Sequence, residues 1–259
     1  MHRPHNLNGE PPMRTHPTDP RLYLVELADF RTEPLPARVQ EHLQPLTSIV
    51  HWATDYLCNP HPDLGRRGAV CPFTNPSIRR NLFYLTVIPG ADLRQEDVEE
   101  VVRLYRDWFL EMEPQDPRQA QYKSINILFP DIPEEAWTTL IEATQDRLKG
   151  EYVPHGIMIG EFHPGPPDKA ALRNPDFRPL RSPLPLLSIR HMVPTDFAFL
   201  RDRQDFMSAF LARHGDKIDT LPGTMPADVR EVAARFGLAL PGIAETAPED
   251  ESALTTSGA

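Results

Sequence analysis

Apolar residues recur along the chain in two rhythms, short dense runs and steps of three or four residues. The first is the mark of strands, the second of one helix face. Leu22 to Leu27 reads as a short strand. From Pro36 to Leu57 the spacing of Val39, Leu43, Leu46, Ile49, Val50, Ala53 and Leu57 suits one helix face, with Pro45 as a point of breakage. A segment full of turn formers follows, CNPHPDLGRRGAVCPFTNPSIRR. Leu82 to Ile88 is a strong strand closed by Pro-Gly, and Asp92 caps a helix to about Met112 with Val98, Val101, Val102, Tyr105, Phe109 and Met112 inward. Ile125 to Phe129 is the next strand. Asp131 and Pro133 open a second helix, whose stripe of Trp137, Leu140, Ile141, Thr144 and Leu148 ends at Lys149-Gly150. Ile157 to Phe162 and Leu184 to His191 are strands on either side of a Pro-rich loop. Thr195 or Asp196 caps a third long helix reaching His214-Gly215, and Met225 to Phe236 is a short terminal helix.

The order β-α-β-α-β-β-α predicts an α+β fold, a mixed open sheet with helices packed against it. The last two strands pair antiparallel if their loop folds back. No GxGxxG or GxxxxGK[ST] follows a strand, which removes the usual phosphate cradles. The expected organisation is a flexible arm over 1–20, a single domain over 21–240 and a disordered acidic tail over 241–259.

Composition adds exclusions. A formal net charge of −10 argues against a nucleic-acid binder, which needs a basic stripe. No apolar run approaches the ~18 residues that cross a bilayer, and residues 1–21 lack the apolar centre of a signal peptide. The expected setting is the cytoplasm, where Cys58 and Cys71 stay reduced. The 30 prolines fall mainly between elements and imply fixed, extended connections.

Candidate chemistry gathers at Val70-Cys71-Pro72-Phe73, just before the strongest strand. The proline ring sets the direction of the chain beside the sulfur. A thiolate so held is a candidate iron ligand, since Cys is the axial ligand of haem sites that activate oxygen. Its bland alternative is a small buried hydrophobe beside a turn. Arginines cluster at 66, 67, 79 and 80 and again at 173, 178, 181 and 190, a pattern that suits an anionic partner. Cys58, His61 and Cys71, with His51 or His42, are right in donor type for zinc but lack the paired spacing of a finger or ribbon. His163 and His191 end apolar strands and are candidates for an axial ligand or a general base, with a polar cap as the plain alternative. The carboxylates around Glu96 and Asp202 suit helix starts and exposed faces. No GxSxG is present.

HPDLGRRGAVCPFTNPSIRR followed downstream by FRPLRSPLPLLSIRHMVPTDFAFL resembles an actinobacterial family of biosynthetic-cluster proteins, over most of residues 50–210. More distantly the chain is similar to small haem-dependent N-hydroxylases of the guanitoxin type, which include an arginine N-hydroxylase of the cycloserine pathway. The matching positions are Cys71-Pro72-Phe73 and Arg178-Pro179-Leu180-Arg181-Ser182. The chain departs from that pattern in its Cys-Pro order and in the loop at His163. The resemblance implies a haem b monooxygenase acting on a small amine or guanidine such as arginine. Cys71 would be the axial ligand, with Pro72 and Phe73 against the cofactor and Arg79, Arg178 and Arg181 holding its propionates. Arg190 and His191 would line the pocket near the iron, and Glu161 would face a cationic substrate. Such chemistry needs an electron donor or peroxide. The rival expectations are a non-enzymatic binding or scaffold protein and the zinc protein; on any of these readings an open sheet edge suits a homodimer.

Overall fold

The computed structural model describes residues 13–112, 114, 116–166, 174 and 177–240. The expected acidic tail, residues 1–12 of the expected arm and Arg173 lie outside the described residues. The chain divides into two compact units, the first ending at Phe199 and the second beginning at Leu200.

The first unit holds the sheet. β1 (Arg14–Thr15), inside what reads in sequence as the arm, pairs antiparallel with β2 (Tyr23–Leu24) at the start of the expected domain. The Leu22–Leu27 run forms strand only at β2, and Val25 then bridges to Leu85 of the main sheet. α1 (Ala37–Glu41) and α2 (Leu43–Trp52) divide the expected 36–57 helix at His42. Pro45 interrupts the helix as expected: its ring excludes the carbonyl four residues back, that of Glu41, where α1 ends, and the proline itself falls in the first turn of α2, where a missing N–H costs no hydrogen bond. α2 runs into a wide π turn, Ala53–Leu57, which delivers the chain to Cys58. After α3 (Thr74–Arg79) come β3 (Phe83–Val87), α4 (Gln95–Glu111) and β4 (Ser124–Leu128).

The second predicted helix is compound: a π turn, Trp137–Glu142, leads into α5 (Ala143–Tyr152). It overruns Gly150, because Tyr152 is fully buried and its hydroxyl donates to the Val102 carbonyl of α4 at 2.9 Å. Pro154 and the left-handed Gly156 (φ 67°) end it instead. β5 (Ile157–Phe162) and β6 (Leu186–His191) complete the sheet.

The strand order is β3-β4-β6-β5. β3 and β4 are parallel, as a helical crossover requires, while β4–β6 and β6–β5 are antiparallel. The α+β class and the mixed sheet are those the pattern predicts. One face carries Tyr84, Ile125, Ile127, Ile157, Ile159, Leu187 and Ile189, packed with the inward residues of α4 and α5. The opposite face is apolar at one end, where Phe83, Leu85, Val87, Leu128 and Leu186 share a cluster with Leu46, Ile49 and Ala53 of the α2 segment.

The predicted third long helix is broken. Its first turn is α6 (Phe197–Leu200), and α7 (Gln204–His214) starts after Arg203, whose backbone is extended (φ −129°, ψ 133°). In the second unit Phe206, Met207 and Phe210 of α7 are buried, as their helical spacing predicts, and so are Val229, Val232 and Ala233 of α8 (Met225–Arg235). Among the described residues no helix is long and apolar enough to cross a membrane.

Candidate functional site

At its other end the second sheet face turns polar. Strand register aligns Asn126, Ser188 and Gly160 in one row and Ser124, Arg190 and Met158 in the next. All six line a chamber of about 600 Å³, with mainly apolar walls. Polar side chains on a covered sheet face mark a site better than any exposed group, since burial without partners is costly. The volume is within the usual range for small-molecule and cofactor sites.

The floor is hydrogen-bonded in one sense. Asn126 Nδ2 donates to the Tyr84 carbonyl at 3.0 Å, which turns its Oδ1 to accept from Ser188 Oγ at 2.9 Å. The Ser188 proton is thereby used, and what remains on its oxygen is acceptor capacity. Arg190 is clamped in fork geometry by Asp196, both contacts at 2.7 Å, and also donates to the His191 carbonyl. Asp196 is 2% exposed and accepts the Val193 N–H as well. The Arg190 side chain keeps 34% of its surface accessible, on the chamber side. Burial alone would lower its pKa; the Asp196 carboxylate and, to a smaller degree, the Cys71 sulfur outweigh this and raise it.

The loop from Cys58 to Phe73 forms one wall, bringing Leu64, Arg66, Val70, Cys71, Pro72 and Phe73 to the chamber. It is a closed excursion: Pro60 and Ala69 pair antiparallel, and Arg66 Nη2 donates to the Val70 carbonyl at 2.9 Å. Gly65, left-handed at φ 71°, turns the chain after Pro62–Leu64. Cys71 and Cys58 are free and half-buried. Burial pushes the Cys58 thiol up, and the neighbouring Cys71 sulfur adds to the effect. On the α3 wall, Ser77 is buried and its hydroxyl has no hydrogen-bond partner in the protein. Lys123 contributes its stem, its ammonium being committed to the Phe109 (2.6 Å) and Met112 carbonyls at the end of α4.

Of the residues singled out from sequence, Cys71, Pro72, Phe73, Glu161 and Arg190 border this chamber. Arg178, Arg181 and His61 do not. They line a neighbouring, more open cleft of about 730 Å³ with His51 and Tyr56, and Trp52 and Phe177 border both spaces. Arg79 is exposed and lines neither space. His191 belongs to the other face of the sheet, its ring 5.0 Å from that of Phe109. His163 is buried, its Nε2 3.0 Å from a Glu142 carboxylate oxygen. Among the described residues no group of three or more His, Cys, Asp or Glu is placed to hold a metal ion, so Cys58, His61 and Cys71 do not converge as the zinc set. His61 instead accepts the Asp63 N–H at 3.2 Å and packs against Tyr56 and Phe177.

Sequence reasoning missed Ser124, Asn126, Ser188, Gly160 and Asp196. The signal was present: in SINIL and LLSIR polar residues alternate with Ile and Leu, and those polar positions share one face.

Residues 46–222 match the family model described as a domain of unknown function, DUF6875. No curated protein matches the chain, and no solved structure does.

Proposed function

We propose, for a chain that belongs to the DUF6875 family, that the chamber beside Cys71 holds haem b through the cysteine sulfur. On this reading the protein is a haem-dependent oxygenase that hydroxylates a nitrogen of a small amine or guanidine, and it works in the cytoplasm. The observation that carries the reading is the sulfur itself: Cys71 borders a roomy chamber with aromatic side chains on its walls instead of being sealed in the core.

The residues suit the group in three respects. Phe73, Phe83, Phe162, Phe177 and Trp52 offer flat apolar surface to a macrocycle. Cys71 is the soft donor that haem oxygenases use, and when bound the iron supplies activation of oxygen. Ser77 offers a buried hydroxyl that the protein leaves unpaired. The propionate partners differ from the sequence expectation, because Arg79, Arg178 and Arg181 are not on the chamber. Arg66 and Lys149, which border it, take that role here. Arg190, held by Asp196, keeps a fixed positive charge beside the sulfur.

For the substrate, Ser188 offers lone pairs and no proton, which favours a ligand with N–H donors. Asp146 and Glu161 on the border supply the sign that suits a cation. Electrons come from a reductase partner or from peroxide.

Titration of the purified protein with haemin is expected to give a Soret band saturating at one haem per chain, and Cys71→Ala to shift or abolish it. A protein that stays colourless overturns the cofactor assignment and favours a non-enzymatic binding role. A band unchanged by Cys71→Ala overturns the ligand assignment.

A further inference from the structure

Cys58 and Cys71 stand at the two ends of the loop that walls the chamber, and the backbone brings them opposite one another. Pro60 and Ala69 form an antiparallel bridge, and the Val70 N–H donates to the Asn59 carbonyl at 2.9 Å. Two residues outward on each side are Cys58 and Cys71. There the Cys71 N–H donates to the Leu57 carbonyl at 2.9 Å, and that carbonyl belongs to the peptide joining Leu57 to Cys58. One hydrogen bond and a peptide unit separate the two Cα atoms, which puts them within about 7 Å of each other by standard backbone dimensions. That span overlaps the window of roughly 4.4–6.8 Å that a disulfide needs. Both thiols are free and partly accessible. The Cys71 sulfur is also near enough to Cys58 to act on its thiol.

We propose that Cys58 and Cys71 are a reversible dithiol–disulfide pair, whose closure takes the Cys71 sulfur away from the chamber. The oxidant is a small disulfide of the glutathione type. The Cys71 thiolate, on the chamber wall, attacks one sulfur of the reagent; the reagent's S–S bond breaks, a protein–glutathione disulfide forms, and the released thiolate takes up a proton. Cys58 then loses its proton and attacks the Cys71 sulfur, forming the internal bond and releasing the second glutathione. Two protein thiols give up two electrons and two protons, and one disulfide reagent becomes two thiols. Cys71 is the first to react because it borders the chamber, which Cys58 does not.

Formation of the bond does not depend on the chamber's occupant; its consequence rests on the haem reading, since a closed pair leaves no thiolate for iron. The loop can close without unfolding, because the bridge and its hydrogen bonds already hold its ends together.

The test uses the full reduced chain incubated with oxidised glutathione, followed by thiol titration in denaturant, intact mass and peptide mapping without reductant. The expected result is loss of both titratable thiols, a mass lower by two hydrogens, and a cross-linked peptide joining residues 58 and 71. Dithiothreitol should restore the thiols. Cys58→Ser, or Cys58→Ala where serine lowers the melting temperature, should stop at one glutathione on Cys71. The closed protein should lose its uptake of haemin, measured by the Soret band. Stable glutathione adducts on both cysteines, disulfide-linked dimers, or unreacted thiols would each overturn the pair. Closure in a protein that shows no Soret band when reduced keeps the pair and overturns the haem reading. A Soret band without closure overturns the pair alone.

Discussion

Asp196→Asn is the sharpest probe of how the chamber floor is held. The substitution keeps the shape of the side chain and removes the charge that clamps Arg190. Breaking a buried ion pair typically costs ~3–5 kcal/mol, most of it the penalty of stranding the remaining charge. Asp196 is 2% exposed and meets the guanidinium twice at 2.7 Å, which places the pair in that class. Arg190, however, keeps 34% of its side chain accessible to the chamber, where water can solvate it. Discounting for that screening gives a loss of about 2–3 kcal/mol, roughly a thirty- to 150-fold change in the folding constant. Arg190→Met should cost a similar amount, because Asp196 would then be buried and charged. The double variant should cost less than the two single losses together, with a coupling of about 2 kcal/mol. Urea unfolding at pH 7, followed by far-ultraviolet circular dichroism and tryptophan fluorescence, measures all four corners of the cycle. A single variant within about 0.5 kcal/mol of the parent, or losses that simply add, would refute the clamp.

Two further outcomes follow from the packing. Gly160 leaves floor space beside Ser188, and a Cβ there would meet only the Phe162 ring, at 3.4 Å. Gly160→Leu should therefore fill the chamber and abolish uptake of haemin and of a hydrophobic dye, with stability changed by no more than about 1 kcal/mol; undiminished uptake would place the ligand elsewhere. Tyr105 is fully buried, its hydroxyl 2.8 Å from Thr86 Oγ1 and donating to the Tyr23 carbonyl, and burial pushes its pKa up to about 12. An unfolded tyrosine ionises near pH 10, so this contribution is complete below about pH 10 and is lost as pH climbs toward 12. Stability measured between those limits should fall, and Tyr105→Phe should flatten that fall while costing about 1–3 kcal/mol at neutral pH; an unaltered alkaline profile would count against the assignment.

How much of this was legible beforehand differs by level. The strands at 82–88, 125–129, 157–162 and 184–191 declared themselves by dense apolar runs, and the helix over 92–112 by its inward stripe, because these are properties of neighbouring residues. Pro45 announced the break at His42, a local steric effect, whereas Gly150 was misleading, because a glycine can be carried through when a buried Tyr152 lies beyond it. The Cys71 loop could be singled out, since a cysteine fixed beside a proline is a local fact.

What surrounds that sulfur could not be read in the same way. Arg178 and Arg181 looked equivalent to Arg190 as members of one cluster, yet strand register sends Arg190 to the chamber floor while the loop before β6 puts the other two on a separate cleft. His191, one residue further along the same strand, falls on the opposite face because side chains alternate. Ser124, Asn126, Ser188 and Gly160 come from three strands separated by long connections, and only pairing across the sheet brings them into adjacent rows. By itself, then, the chain order of residues determined most of the elements, the class of fold and the loop that carries Cys71, all products of short-range pattern. Which side chains share a space with that sulfur was decided by strand order and register, which depend on contacts between residues far apart in the chain.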